Sequence, residues 1–121
     1  MLSSELKNVF RNYFENLIHQ KDLSVCDRVL SSNYVDHDAP GNTPSGPKAT
    51  KDYVANMQET FPDMRIPIED LIAESNQVAG RMIWKGTHGD TGEGFHRMGI
   101  VMVRLNERGQ FVERWSMYAD M

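Results

Sequence analysis

Hydrophobic periodicity changes once along this chain, near Met64, and no other feature constrains the fold as strongly. Before that point apolar residues recur every three or four positions, the spacing of helices; after it they alternate every second position, the spacing of strands. In the first part Leu6, Val9, Phe10, Tyr13, Phe14, Leu17 and Ile18 draw one continuous stripe, which predicts an amphipathic helix. Ser3 or Ser4 is placed to cap its start, with Glu5 and Lys7 in the first turn. Asp22 is placed to cap a shorter second helix carrying Cys26, Val29 and Leu30 on one face. From Ser31 to Pro47 the chain reads as an irregular passage, because three prolines and two glycines exclude regular structure from most of it. Pro47 then suits the first turn of a third helix reaching Thr60, in which Val54, Met57 and Phe61 repeat at helical spacing before Pro62 ends it.

Beyond Met64 four extended segments are expected, Arg65 to Glu74, Gln77 to His88, Phe95 to Asn106 and Gln110 to Asp120. The linkers Ser75-Asn76, Gly89-Asp90-Thr91-Gly92 and Asn106-Glu107-Arg108-Gly109 carry residues that tolerate left-handed backbone, so successive hairpins and antiparallel pairing follow. Helices first and a meander second is an α+β order. Three N-terminal helices would pack on one face of a curved antiparallel sheet of about four main strands, and the enclosed side can become a cone. A length of 121 residues, with 40% hydrophobic and 25% charged residues, fits one globular domain over residues 1–121.

The formal net charge is −4 and the basic residues are scattered, so no positive stripe exists to grip a phosphate backbone, and nucleic acid is not an expected partner. The longest purely apolar run, Gly99 to Val103, is far too short to span a bilayer, and the polar start Ser3-Ser4-Glu5 does not resemble a signal peptide. A cytoplasmic protein without membrane partners is expected. Cys26 lies in helical apolar spacing and reads as a buried structural thiol. The glycines between Gly89 and Gly94 read as a hairpin turn and not as a phosphate loop, so no nucleotide cofactor is implied; Ser45 and Ser116 lack the context of an acyl-transfer nucleophile.

Several local strings bear on function: Tyr34-Val35-Asp36-His37 after the second helix, Gly46-Pro47 opening the third, Trp84-Lys85-Gly86-Thr87-His88 ending a strand, and Gly109-Gln110-Phe111-Val112-Glu113-Arg114-Trp115 before Asp120. In this order and spacing they resemble the SnoaL-like polyketide cyclases of the NTF2-like superfamily over nearly the whole chain. The resemblance implies a cone with an apolar pocket, a homodimer formed through the outer sheet face, and, in true cyclases, cofactor-free ring closure by an intramolecular aldol reaction with an aspartate near the end of the last strand as base. That scaffold also hosts isomerases, dehydratases and plain binding modules, so residues must decide.

On the second strand Val78, Gly80, Met82, Trp84, Gly86 and His88 share one face, which suits a pocket: Met82 and Trp84 as wall, the glycines as room, and His88 as a polar group at the strand end or simply a surface residue beside a turn. On the last strand Trp115 and Met117 share one face, while Arg114, Ser116, Tyr118 and Asp120 share the other. With Trp115 and Met117 taken as pocket wall, Asp120 reaches the lumen only through a β-bulge; otherwise it is a solvated residue near the chain end. Asp120 as base and His88 as donor to an enolate is the catalytic expectation, with His37 or Tyr34 as further donors. His37, between Asp36 and Asp38, is a pocket histidine, a loop histidine or one ligand of a mixed metal site; with no helical ligand spacing anywhere, no metal is expected. His96 shares a face with Met98, Ile100 and Met102 and is a secondary pocket candidate. Met57, Met64, Met82, Met98, Met102 and Met117 would make an adaptable lining.

Two functions compete on these residues: a cofactor-free cyclase or isomerase acting on a small apolar carbonyl-bearing ligand, and a non-catalytic module that binds such a ligand or serves dimerisation. A dimer is also expected from Ile83, Val101 and Val103, which would leave too much apolar area exposed on the outer sheet face of a monomer.

Overall fold

The computed structural model describes residues 1–39 and 46–121. The first stripe forms α1, Ser3–Phe14, which buries Leu6, Phe10, Tyr13 and Phe14. Its start is closed from inside the first turn: Glu5 accepts the Leu2 N–H at 2.8 Å, while Ser3 and Ser4, the expected caps, already lie within the helix. The stripe then continues through a π-helical turn, Glu15–His19, that buries Leu17 and Ile18. Widening the last turn in this way re-aims side chains without ending the helix. Two bonds anchor it: Gln58 Nε2 donates to the Leu17 carbonyl at 2.9 Å, and the Ile66 N–H donates to His19 Nε2 at 3.0 Å. Asp22 accepts the Ser24 N–H at 3.1 Å, and Ser24 stands at the cap of the short α2, Val25–Val29.

The passage expected to be irregular contains a strand. β1, Leu30–Asp36, runs parallel to the last strand, with Leu30 opposite Phe111 and Asp36 opposite Arg114, and the His37 N–H donates to the Arg114 carbonyl at 2.9 Å. Its Ser31-Ser32-Asn33 run has low strand propensity, and its pairing spans most of the chain, so local signals miss it. Residues 40–45, where the remaining prolines and Ser45 fall, lie outside the described residues. α3 follows as Pro47–Thr60.

The meander is present as β2 (Ile68–Glu74), β3 (Gln77–Thr87), β4 (Gly94–Leu105) and β5 (Phe111–Asp120), giving five strands in the order β1-β5-β4-β3-β2 instead of four. Arg65, expected to start a strand, makes only an isolated bridge to Lys85, because Pro67 cannot donate to a ladder. The sheet is curved and unclosed, with β1 and β2 as separate edges. Its concave face receives α1. Phe10 is fully buried, with ring centroids 5.0 Å from Phe14 and 6.2 Å from Phe111, and Tyr13 lies 4.9 Å from Phe111. Val78 and Met82 of β3 and Val101, Val103 and Leu105 of β4 complete this core. Val101 and Val103 are therefore not the outer-face residues expected above: β4 presents its odd-numbered residues to the helices.

Gly80 makes the close approach of helix to sheet possible, since a Cβ there would stand 2.9 Å from both Phe10 and Leu71 side chains. Phe10→Ala should lower stability by about 3–5 kcal/mol through cavity formation, and Gly80→Ala by about 1–3 kcal/mol through overpacking. Urea unfolding checks both, with midpoints shifted at unchanged m-value; a Gly80→Ala midpoint equal to the parent's would mean the contact yields freely.

Candidate functional site

The aromatic core fills only one end of the cone. At the other end the π-helical turn and α3 stand off the sheet and enclose a cavity of about 370 Å³. Its helical wall is apolar, with Phe14, Leu17, Ile18, Val54 and Met57, and Tyr53 stands nearer solvent. Its sheet wall is Trp84 from β3, Phe95 and Arg97 from β4, and Arg114, Ser116 and Tyr118 from β5; Asp36 and Asp38 join it from the end of β1. The volume and the mixture of apolar wall with few polar groups are those of a small-molecule site.

Arg114 is the unusual member of this wall, because its side chain is only 11% exposed. Nη2 donates to the Tyr118 hydroxyl at 2.9 Å, the guanidinium lies 5.7 Å from the centre of the Phe14 ring, and Asp36 Oδ2 stands 4.0 Å from Nε. Burial by itself would push the guanidinium pKa down, but Tyr118, Tyr34, Asp36 and Tyr13 oppose it and the net shift is upward, so the charge is kept. Tyr34 and Tyr13 are pushed the other way from ionisation: burial raises the pKa of each, and both stay neutral hydroxyls. Across the wall, Asp38 accepts the Ser116 N–H at 2.8 Å through Oδ2 and has no ion-pair partner among the described residues. A fixed cation and a carboxylate thus face one apolar space. At the rim Arg97 pairs with Asp120 at 3.2 Å and lies 5.1 Å over the Tyr118 ring.

Of the residues expected to be catalytic or ligand-binding, Asp120, His88, His37, Tyr34, Met82, Trp84, His96, Trp115 and Met117, only Trp84 lines the cavity. Asp120 lies on the cavity-side face without any bulge between it and Trp115, because that face is the one carrying Arg114, Ser116 and Tyr118. It stands beyond the rim, however, 89% exposed. A bulge does exist in β5, earlier: Arg104 pairs with Glu113 and Leu105 with Phe111, leaving Val112 as the extra residue. Trp115 and Met117 accordingly sit on the outer face, and so does His37, which stacks on Trp115 at 4.9 Å and meets Glu113 at 2.8 Å. His37 and its two aspartates therefore diverge, the histidine outward and both carboxylates to the cavity. His88 accepts the Asp90 and Thr91 N–H groups at 3.1 and 3.3 Å and organises the β3–β4 turn. His96 is exposed on the outer face opposite Lys85, Met82 is fully buried core, and Tyr34 lies under the cavity floor as a neighbour of Arg114. Of the six methionines only Met57 reaches the cavity. Cys26 is buried, its thiol pKa raised to about 11 chiefly by desolvation, as a structural thiol requires.

An α+β cone with one hollow, aromatic-walled end is a small-molecule-binding protein of the NTF2-like type. The chain belongs to the SnoaL-like polyketide cyclase family, whose sequence profile matches residues 8–121. Among solved structures it is similar to IdmH from Streptomyces antibioticus, a candidate polyketide cyclase, at 24% identity and TM-score 0.80 over 93% of this chain and 91% of that one. It is similar to a candidate polyketide cyclase from Bacillus cereus at 22% identity and TM-score 0.82, covering 94% and 74%. It is also similar to AclR from Streptomyces galilaeus, a candidate hydroxylase, at 20% identity and TM-score 0.83, covering 98% and 91%. At these identities the likeness speaks for the fold, and two activity names on one scaffold return the question of chemistry to the residues. No curated protein matches the sequence. Among the described residues no helix is long and apolar enough to cross a membrane.

The sheet wall also rests on one glycine. A Cβ at Gly99 would stand 2.6 Å from Trp84 Nε1 and 2.9 Å from the Tyr118 ring, two side chains that meet edge-on at 5.4 Å. Gly99→Ala should displace both, changing the near-ultraviolet circular dichroism of the pair and costing about 1–3 kcal/mol. An unaltered spectrum and urea midpoint would show that Gly99 does not set this wall.

Proposed function

We propose that the protein is a cofactor-free cyclase or isomerase that works by acid/base chemistry next to a carbonyl of a small apolar molecule. The observation that carries this reading is the buried Arg114 guanidinium, steadied by Tyr118, sharing an apolar cavity with the Asp38 carboxylate. Removing a proton from carbon beside a carbonyl moves the C–H electron pair into a carbon–carbon double bond and leaves negative charge on oxygen. Asp38 would take that proton. The Tyr118 hydroxyl, held by Arg114 at 2.9 Å, would donate to the oxygen, a task in which a donor already fixed in a low-dielectric wall loses little to reorganisation. The enolate carbon then either attacks a second carbonyl of the same molecule, closing a ring as that carbonyl's π pair moves to its oxygen, which takes the proton back from Asp38, or is reprotonated from Asp38 at another position. The anionic intermediate needs no electron sink beyond the cation already present.

Asp38 is preferred to Asp120 as base because it faces the cavity and has no ion-pair partner among the described residues, whereas Asp120 lies outside and is paired with Arg97. Hydrogen–deuterium exchange at C1 of 2-tetralone, followed by proton NMR, separates the two. Asp38→Asn should lower protein-catalysed exchange about 100-fold or more, and Asp120→Asn should leave at least half of it. The opposite pattern would move the base to the rim. Saturable binding of 2-tetralone with no acceleration by the parent protein would instead establish a non-catalytic binding module.

The reading includes a two-fold homodimer formed through the outer sheet face. Support comes from Met117, Ile72 and Ile100, exposed by 79%, 70% and 47% on three strands of that face, in place of the valines expected from sequence. Light scattering at micromolar concentration should give a dimer mass, and Ile100→Lys with Met117→Lys should halve it without lowering helix content. A monomeric parent protein would overturn the assembly.

A further inference from the structure

Three buried side-chain polar atoms have no hydrogen-bond partner among the described residues: the Tyr13 hydroxyl, Trp84 Nε1 and Arg114 Nε. All three belong to side chains that line the cavity described above. Buried polar groups are nearly always satisfied, so three such groups around one hollow mark positions where something else supplies the partner. Tyr13 has a weak neighbour in the Cys26 thiol, and the Trp84 indole meets the Tyr118 ring. Arg114 has no such substitute at Nε, where the nearest acid, Asp36, is 4.0 Å away.

We infer that the natural ligand of this cavity is a flat, unsaturated monocarboxylic acid whose carboxylate docks on Arg114. The inference rests on the reading of the cavity as a small-molecule site and adds the substrate class to it. A planar guanidinium is matched to a carboxylate by geometry as well as charge, and the pairing strengthens where water is excluded. The charge of the wall argues for a monoanion: Arg114 is one cation, Arg97 is already paired with Asp120, and Asp36 and Asp38 on the same wall would oppose a phosphate dianion. Asp36 Oδ1 accepts the Asp38 N–H at 3.1 Å and Asp38 Oδ2 the Ser116 N–H at 2.8 Å, which fixes both acids and leaves Arg114 as the anion-binding group of the wall. The ligand body is set by the rings of Phe14, Trp84, Tyr53 and Phe95, which favour a flat partner over a branched aliphatic one.

Calorimetric titration with 2-naphthoate and with 2-naphthamide, equal in size and differing in charge, tests this directly. The parent protein at neutral pH and low salt should bind the acid about tenfold more tightly than the amide. Arg114→Gln should bring the two affinities together, chiefly by weakening the acid. Arg81→Gln, which removes a cation outside the cavity that pairs with Asp70 at 2.7 Å, should leave the ratio within twofold, and Tyr118→Phe, which keeps the ring, should reduce it should Arg114→Gln not fold. Equal affinities in the parent protein, or a preference that survives in Arg114→Gln, would overturn the inference. A naphthoate preference without 2-tetralone exchange would remove the proposed catalysis and leave the ligand class standing. Failure of both probes to bind at their solubility limit would overturn both.

Discussion

Everything in this molecule depends on how far the aromatic stripe of α1 reaches into the concave sheet. Phe10, Tyr13 and Phe14 are long enough to meet Phe111 and the floor of β3 and β4, and at that end the two layers close on one another with no room to spare. Past Phe14 the helix widens into its π-turn, α3 takes over the cover, and a cavity opens between the layers, closed at its far end where Phe61 meets Phe95 at 4.8 Å. The hollow is thus a consequence of where the large side chains stop. Phe14, which ends the core, also supports Arg114 and Trp84 from below.

A charge placed on such a floor has few ways to be stabilised. Arg114 is held by the π-face of Phe14, by tyrosine oxygens and by a carboxylate just beyond contact, an arrangement that keeps it ionised without neutralising it through a tight ion pair. From there a file of groups leads to solvent: Arg114 to Tyr118, Tyr118 beneath Arg97, Arg97 to Asp120. Asp120, which the family resemblance singled out, is therefore electrically connected to the cavity although it does not enter it. Its effect on the interior passes through how firmly Arg97 covers Tyr118.

Much of the fold could be read from periodicity because α1, α3 and the four meander strands declare themselves locally, by repeats of three to four or of two. β1 could not, since parallel pairing with β5 is decided across the length of the chain and its Ser31-Ser32-Asn33 stretch looks like a loop. The site was harder. Alternation correctly sorted Arg114, Ser116, Tyr118 and Asp120 onto one face of β5 and Trp115 with Met117 onto the other. What it does not contain is which face looks inward, and the usual rule of burying the apolar set points the wrong way here. Trp115 is covered from outside by His37, while the polar set faces the hollow. Arg114 and Asp38 were visible as letters, yet only their meeting across two strands gives them meaning.

The extra residue at Val112 acquires an importance beyond local geometry. Between Phe111, which belongs to the core, and Arg114, which belongs to the hollow, the chain advances three positions where strict alternation would demand two or four. Both side chains nevertheless face the helices, and the bulge is what reconciles them. Deleting Val112 would restore plain alternation and leave the faces as they are, whereas straightening the strand with Val112 retained would keep every amino acid downstream in sequence and turn each one over. His37's stacking partner would fall into the hollow, the guanidinium would be delivered to solvent, and a protein with the same composition and nearly the same sheet would have lost its interior chemistry. The bulge at Val112 is therefore what decides which side of the last strand is the inside.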